Sequence, residues 1–287
     1  MELLGVIGNP IAHSLSPVMH NTALAAAGKK AVYLPFLVKH EELAQAIYGA
    51  QALGFTGLNV TIPFKEQVLP YLTELTPEAE VIKSVNTIAF IADRIVGHTT
   101  DGIGFIAAAK HELNFDFIRK TVLVIGAGGA ARAIVAQLLA HQCRVYITNR
   151  TDHRARALLT LGDNAREQMT VVPMQLESLR EIMDQVEVVI NTTSVGMAKP
   201  AAPTSSNSQD QTQVPIPAEL LLPQHLVIDI IYNPKQTLFL EMASQRGCRI
   251  QNGVGMLVWQ AVKAWEFWWG ITPPLDKMYQ AVKASLS

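Results

Sequence analysis

The sequence contains few of the residues that would indicate a disulfide-bonded or zinc-binding protein. Only two cysteines occur among 287 residues, Cys143 and Cys248, and they lie far apart. No CxxC or Cys/His spacing accompanies them, so we expect neither a disulfide framework nor a metal site. The scarcity of thiols favours the cytoplasm as the compartment.

Charged residues are also sparse, at 16%, and they nearly balance to a formal net charge of −1. A chain with this balance lacks a general electrostatic attraction to nucleic acid. Long apolar runs are missing because charged residues or glutamine interrupt them, as Arg132 and Gln137 do within residues 121–140. The first residues contain no basic segment ahead of an apolar one. We therefore expect no nucleic-acid partner, no membrane span and no signal peptide.

Apolar residues, by contrast, make up 49% of a chain that is longer than one hydrophobic core usually organises. Short apolar runs alternate with amphipathic stretches, the pattern of βα units around a mainly parallel sheet. We predict an α/β fold with two domains flanking a cleft. Residues 1–101 plus 253–287 would bind the substrate, and residues 102–252 would form a doubly wound Rossmann domain for the cofactor.

Three local features have specific structural interpretations. The pattern predicts a helix over Ser16–Ala27 with Ser16 as its cap, followed at its exit by Gly28. A second helix is predicted over Pro63–Leu72, directly after a strand. The polar, proline-containing tract 199–217 is predicted to be a surface loop.

The segment from Val122 to Ala131 is typical of a dinucleotide site. An apolar strand runs into a glycine turn, Gly126-Ala-Gly128-Gly129-Ala130-Ala131, and then into a helix. Glycine permits the tight turn and the approach of a pyrophosphate, and the helix N-terminus supplies free N–H groups. A tight turn with nothing bound is the alternative. The small hydroxylated residues of Asn191-Thr192-Thr193, after a later strand, are equally compatible with a ligand crevice or an ordinary turn.

The end of the following strand distinguishes NADP from NAD. An NAD site usually carries an acidic residue there, whereas this chain reads Thr148-Asn149-Arg150-Thr151-Asp152-His153-Arg154. Guanidinium groups suit the 2′-phosphate of NADP in charge and in geometry. The sequence therefore favours NADP, with a solvated basic loop as the alternative.

Polar residues with possible substrate roles cluster near predicted strand ends in the first domain. Ser14 and Ser16 flank a helix N-terminus, where hydroxyl and N–H donors would bind a carboxylate, although Ser16 could equally be only a cap. Lys65, Asn86 and Asp101 could together bind a polyhydroxylated acid, although each alone is more often a capping or turn residue.

These segments make the chain resemble the shikimate dehydrogenase family over nearly its whole length. The matching segments are Ser14-Leu-Ser-Pro17, Asn59-Val-Thr-Ile-Pro-Phe-Lys65, Asn86-Thr87, Asp101-Gly102, Gly126–Ala131, Asn149-Arg-Thr151, Asp229–Pro234 and Gly253–Gln260. The resemblance implies reversible reduction of 3-dehydroshikimate to shikimate by NADPH, a step of aromatic amino-acid (chorismate) biosynthesis.

The resemblance also implies roles for individual residues. Lys65 and Asp101 would be the catalytic pair. The substrate-binding residues would be Ser14, Ser16, Asn59, Thr61, Lys65, Asn86, Asp101, Tyr232 and Gln260. The cofactor-binding residues would be Gly126, Gly128, Gly129, Ala130, Asn149, Arg150, Thr151, Arg154, Thr192, Gly253 and Met256.

Two alternatives stay open at this point. A quinate/shikimate dehydrogenase that accepts NAD would share the fold; the basic loop around Arg150 weighs against NAD, but nothing excludes quinate. A non-catalytic NADPH-binding regulatory module would need the glycine turn but not Lys65 with Asp101. We expect a monomer or a homodimer acting on a small molecule.

Overall fold

The computed structural model describes residues 1–162, 165–198 and 214–286. The chain forms two compact units. The first unit comprises Met1–Phe105 and Leu257–Ser285, and the second comprises Ile106–Met256. The tract 199–213 lies outside the described residues, as does most of the loop predicted over 199–217.

The first unit contains a six-stranded sheet with helices around it. Its strands are β1 (Glu2–Gly8), β2 (Ala31–Leu37), β3 (Phe55–Val60), β4 (Glu74–Leu75), β5 (Thr87–Ile91) and β6 (Arg94–His98). Its helices are α1 (Ser16–Ala26), α2 (Leu43–Ala52), α3 (Pro77–Ile82) and, near the C-terminus, α11 (Leu275–Ser285). The helices α4 (Asp101–Leu113) and α10 (Val254–Trp269) include residues of both units.

The strand order of this sheet is β2-β1-β3-β5-β6-β4. Strands β1, β2 and β3 are parallel, and β5, which pairs with β6 in a hairpin, runs antiparallel to β3. As a result, the ends of β1 and β3, the start of β5 and the end of β6 all lie at one edge. The topology therefore gathers the segments that follow or precede these strands.

The second unit contains a six-stranded sheet in the order β12-β11-β10-β7-β8-β9, with every neighbouring pair parallel. Its strands are β7 (Thr121–Ile125), β8 (Arg144–Thr148), β9 (Met169–Val171), β10 (Val188–Asn191), β11 (Leu226–Asp229) and β12 (Arg249–Gln251). Its helices are α5 (Gly129–Ala140), α6 (Asp152–Ala157), α7 (Ala165–Gln168), α8 (Leu176–Met183) and α9 (Leu238–Gln245). The strand order reverses between β7 and β10, which is where doubly wound sheets bind ligands.

Each unit has its own apolar core. In the first unit, Ile47 of α2 packs with Leu58 and Ile88 of the sheet. In the second, Leu123 and Val189 of the central strands pack with residues of α8 and α9. The central strands are apolar and β-branched because both faces of a parallel sheet are covered. The α/β prediction, with a mainly parallel sheet and a Rossmann-like unit, is confirmed.

Two local predictions were wrong. Residues 62–68 form turns, and a short 3₁₀ helix covers only Leu69–Tyr71, so no α-helix spans Pro63–Leu72. Pro70 lacks the N–H group that the interior of a helix needs, and Phe64 is buried in the core. The prediction of a surface loop over 199–217 was wrong in part: Ile216 is buried in the core of the second unit, whereas Pro217 is exposed.

Among residues 1–162, 165–198 and 214–286, no helix is both long and apolar enough to span a membrane.

The buried histidine of α1 should make stability depend on pH. His20 stacks on Tyr33 and accepts a hydrogen bond from Trp265, and burial lowers its pKa from 6.5 to about 3. Below about pH 6.5 the unfolded chain binds a proton at His20 that the folded protein does not. The free energy of unfolding should therefore fall as the pH falls, with His20 contributing about 2 kcal/mol between pH 6.5 and about pH 5.

The measurement is chemical unfolding of wild type, His20→Gln and the control His153→Gln, whose histidine is exposed. The pH slope should be shallower in His20→Gln than in the wild type, and unchanged in the control. Equal slopes in all three proteins would contradict this account.

Candidate active site

Lys65 and Asp101 form an ion pair at the edge where the strand ends of the first unit meet. Lys65 lies in the turn after β3, and Asp101 is the first residue of α4. The Lys65 Nζ and Asp101 Oδ2 atoms are 2.5 Å apart. The aspartate side chain is 7% exposed and the lysine side chain 17%. The ammonium group is thus partly open to a ligand, and the start of α4 favours the carboxylate charge.

The orientation of the Asn86 amide follows from its neighbours. Its Oδ1 accepts the backbone N–H of Thr100 at 2.7 Å, and a backbone N–H can only donate. The Nδ2 group must therefore face the other way, where it donates to Asp101 Oδ1 at 2.8 Å. Thr87 also donates to Asn86 Oδ1, at 3.1 Å. The asparagine holds one carboxylate oxygen of Asp101, which leaves the other for Lys65.

Asn59, near the end of β3, is tied to the same network. Its Nδ2 donates to the backbone oxygen of Asn86 and to Thr87 Oγ1, both at 3.1 Å. Its Oδ1 accepts the hydroxyl of Tyr33 at 2.7 Å. The side chains of Tyr33, Thr87 and Thr100 were not among the predicted site residues. Thr100 lies beside Asp101 in the sequence and could have been noticed, whereas no sequence pattern distinguishes Tyr33 from an ordinary strand residue.

The structure places the helix cap one residue earlier than the sequence suggested. Leu15 is the N-cap and Ser16 is the first residue of α1, so the prediction of Ser16 as the cap was wrong. Instead, Ser14 Oγ accepts the backbone N–H of Ser16 at 3.3 Å. Ser14 is half-buried and Ser16 is buried. Thr61, which immediately follows β3, donates its backbone N–H to Ile7 and is half-buried.

Gln260 of α10 belongs to the same unit and approaches Asn86. Its Oε1 lies 3.5 Å from Asn86 Nδ2, and its Nε2 donates to the Leu257 oxygen at 2.8 Å. A Cβ atom at Gly104 would lie 2.5 Å from the backbone nitrogen of Gln260. A side chain at position 104 would therefore push α4 away from α10.

In the second unit, the glycine turn follows β7 at the reversal of strand order. Gly126 has a φ of +114°, and a Cβ there would overlap Thr192 Oγ1. A Cβ on Gly128, by contrast, would meet nothing within 4 Å, and Gly128 directly precedes α5. Gly128 is exposed, and Gly129 and Ala130 at the start of α5 are half-buried. This space and the helix N-terminus suit a pyrophosphate.

The basic segment after β8 is exposed, and some of its side chains already form hydrogen bonds or an ion pair within the segment. Asn149 Nδ2 donates to the Thr151 oxygen at 2.9 Å, which closes the turn before α6. Arg156 pairs with Asp152 at 2.6 Å, so the only acidic side chain of the segment is occupied. Arg150 and Arg154 are exposed and form no ion pair with any of the described residues. Their guanidinium groups are available to a phosphate.

The turn after β10 is held to the end of β7 and to β11. Thr192 Oγ1 donates to the Ile125 oxygen at 2.8 Å. Asn191 donates to Asp229, which also accepts the hydroxyl of Thr237. Burial raises the pKa of Asp229 from 3.8 to about 6. These contacts fix Thr192 beside Gly126.

Three further predicted residues lie in the second unit. Tyr232 is half-buried, and burial raises the pKa of its phenol. Gly253 donates its N–H to the Ile231 oxygen at 2.9 Å, and a Cβ on Gly253 would overlap the Ile230 carbonyl. Met256 is buried. Glycine at 253 is therefore required by the backbone packing itself.

Comparison with known proteins identifies the family. Three family models match the chain: "Shikimate dehydrogenase substrate binding domain" over residues 6–88, "Shikimate / quinate 5-dehydrogenase" over 107–212, and "Shikimate 5'-dehydrogenase C-terminal domain" over 253–283. A shikimate dehydrogenase (NADP(+)) from Geobacillus kaustophilus is 42% identical, with 99% of each chain covered. The chain belongs to the shikimate dehydrogenase family.

Solved structures agree in fold. The shikimate 5-dehydrogenase of Thermus thermophilus, in complex with NADP(H) and shikimate, is 32% identical with a TM-score of 0.86, and 100% of each chain is covered. A quinate dehydrogenase from Corynebacterium glutamicum, in complex with NAD, is 29% identical with a TM-score of 0.85 and 99% of each chain covered. The resemblance inferred from the sequence motifs is confirmed.

Proposed function

We propose that the protein catalyses the reversible NADPH-dependent reduction of 3-dehydroshikimate to shikimate, in the biosynthesis of aromatic amino acids through chorismate. The observation that carries this proposal is the Lys65–Asp101 ion pair, with 2.5 Å between Nζ and Oδ2, which is surrounded by hydrogen-bonded amide and hydroxyl groups. A small polyhydroxylated acid needs such hydrogen-bonding groups around a proton donor. A regulatory module without turnover would have no use for this pair.

Lys65 is the proton-transferring group. In the reduction its ammonium donates a proton to the carbonyl oxygen, and in the oxidation its amine receives the proton of the hydroxyl group. Asp101 accepts a hydrogen bond from Lys65 through Oδ2, which orients the ammonium and balances its charge. Asn86 holds Asp101 Oδ1 and thereby keeps Oδ2 directed at the lysine.

The other polar residues bind the substrate. Ser14 and Ser16 receive the carboxylate, assisted by Tyr232. Asn59, Thr61, Asn86 and Gln260 meet the hydroxyl groups. Hydrogen-bonding side chains of this kind discriminate between ligands because a missing hydroxyl leaves a buried group unpaired.

The second unit binds NADP, which supplies the hydride chemistry when it is bound. Gly126, Gly128, Gly129 and Ala130 hold the pyrophosphate at the start of α5, with Thr192 beside them. Asn149, Arg150, Thr151 and Arg154 bind the adenosine phosphate. Gly253 and Met256 border the nicotinamide. The open space above Gly128 and the unpaired arginines support this assignment.

We base the domain assignment on the majority of these roles, with Tyr232, Gly253 and Met256 as exceptions, of which Gly253 and Met256 lie near the boundary of the two segments. Residues 1–101 with 253–287 form the substrate domain, and residues 102–252 the NADP domain. We propose that the enzyme works as a monomer or homodimer in the cytoplasm, where its two buried thiols, Cys143 and Cys248, stay reduced.

A panel of two substrates against two cofactors tests the proposed reaction. Oxidation of shikimate or quinate is followed by NADPH or NADH absorbance in steady state. We expect kcat/KM to be highest for shikimate with NADP+, because the exposed arginines match a 2′-phosphate. Comparable rates with quinate or NAD+ would indicate a quinate/shikimate dehydrogenase instead. Binding of NADPH without turnover in any combination would favour the regulatory module.

Replacement of Lys65 tests its role as proton donor. Lys65→Ala should lower kcat about 10²- to 10⁴-fold, because positioned proton transfer contributes that much to the rate. The control is Lys39→Ala, whose exposed lysine pairs with Glu42 and should keep wild-type kcat. Turnover of Lys65→Ala close to that of the wild type would exclude Lys65 from the chemistry.

Replacement of Arg150 tests the cofactor preference. Arg150→Ala should raise the KM for NADP+ about 10-fold or more, because it removes a charge-assisted hydrogen bond to the phosphate. The KM for NAD+ should change much less. Arg156→Ala is the matched control, since Arg156 is already paired with Asp152. An equal effect of the two replacements on NADP+ would argue against a specific phosphate contact at Arg150.

A further inference from the structure

The hydrogen bonds of Asn59 define what this residue can offer to a ligand. Its two N–H groups are directed at the Asn86 carbonyl and at Thr87 Oγ1. A carbonyl can only accept, so the amide cannot be flipped. Its Oδ1 therefore faces Tyr33, whose hydroxyl is 2.7 Å away and must donate. One lone pair of Oδ1 is left, and Asn59 can only accept a hydrogen bond from a substrate hydroxyl.

The Tyr33 hydroxyl orients the oxygen of Asn59. It donates to Asn59 Oδ1 at 2.7 Å. Burial raises the pKa of Tyr33 well above its usual value, so the phenol keeps this proton. The hydrogen bond therefore runs in one direction, from Tyr33 to Asn59.

Tyr33 itself is held on its backbone and on its ring. The side chain of Asn21 in α1 accepts the backbone N–H of Tyr33 at 2.9 Å and donates to the backbone carbonyl oxygen of Tyr33 at 2.8 Å. The ring stacks on His20 with a centroid distance of 4.1 Å and an interplanar angle of 5°. His20 in turn accepts a hydrogen bond from Trp265 at 2.9 Å. This support fixes the hydroxyl of a side chain that is fully buried.

We propose that Tyr33 is a positioning residue of the substrate site, which holds Asn59 in the orientation that accepts a hydrogen bond from a hydroxyl group of the ligand. The inference rests on the proposed function, since it assigns Asn59 to a polyhydroxylated acid. Tyr33 itself donates its only proton to Asn59, so it acts through this neighbour.

Tyr33→Phe tests the proposal because phenylalanine keeps the ring that stacks on His20 and loses only the hydroxyl. We expect kcat/KM for shikimate to fall about 10-fold, since a buried acceptor on Asn59 loses its partner. The KM for NADP+ and the circular dichroism spectrum should stay at wild-type values. Tyr48→Phe is the control, because Tyr48 is 50% exposed and the loss of its hydroxyl should leave all parameters unchanged.

A double-mutant cycle separates positioning from general destabilisation. In an Asn59→Ala background, Tyr33→Phe should lower kcat/KM by less than about threefold further, because the group through which it acts is gone. An undiminished loss of about 10-fold in that background would overturn the proposal. Failure of Tyr33→Phe to fold would also overturn the proposal, because a hydroxyl group that only positions Asn59 should not be needed for folding.

The outcomes for the two proposals differ. An inactive wild type in every substrate and cofactor combination would overturn the proposed function together with this inference. An active wild type whose Tyr33→Phe variant has the same kcat/KM for shikimate would overturn the inference alone.

Discussion

The backbone N–H of Thr100 donates to the amide oxygen of Asn86 at 2.7 Å, and the arrangement of the proposed catalytic pair depends on this bond. It decides that the nitrogen of Asn86 faces Asp101, and this nitrogen then occupies one of the two carboxylate oxygens. The other oxygen is left for Lys65. The backbone N–H of Thr100 thus determines the orientation of the Asn86 amide, and this orientation determines which carboxylate oxygen of Asp101 binds the Lys65 ammonium group. Thr87, which donates to the same oxygen, reinforces the arrangement.

The sheet topology explains why these groups meet. Lys65 follows a strand, Asn86 precedes one, and Asp101 follows another, yet all three lie at one edge. Because β5 runs antiparallel to β3, its beginning lies at the edge where β3 ends. In the second unit all strand pairs are parallel, and the turns after β7 and β10 meet at the reversal of strand order. Each unit therefore places its polar residues at strand ends. The first unit does so with an antiparallel strand, and the second with parallel strands only.

Some features were predictable from the sequence, and others were not, for identifiable reasons. The strand, glycine turn and helix around Gly126 were predicted because their signals are local and consecutive. The helix over Pro63–Leu72 was predicted wrongly because the segment directly follows a strand, where a helix was expected, whereas Phe64 and Val68 are buried by contacts with distant residues. Ser16 was assigned as a cap because it precedes proline. In the structure the backbone N–H of Ser16 instead donates to Ser14 Oγ. Tyr33 was overlooked, since an aromatic residue in a strand indicates only packing.

The sequence by itself determined the α/β class, the family, NADP as the cofactor and, through the family resemblance, the choice of Lys65 and Asp101 as candidates for proton transfer. These conclusions depend on residue type, order and spacing, which are properties of the chain alone. Only the tertiary structure decided that Asn86 orients Asp101, that Asp152 is paired with Arg156, and that Tyr33 donates to Asn59. The direction of a hydrogen bond depends on which donors and acceptors surround an amide or hydroxyl. Those neighbours come from strands and helices distant in sequence, so only the folded chain defines them.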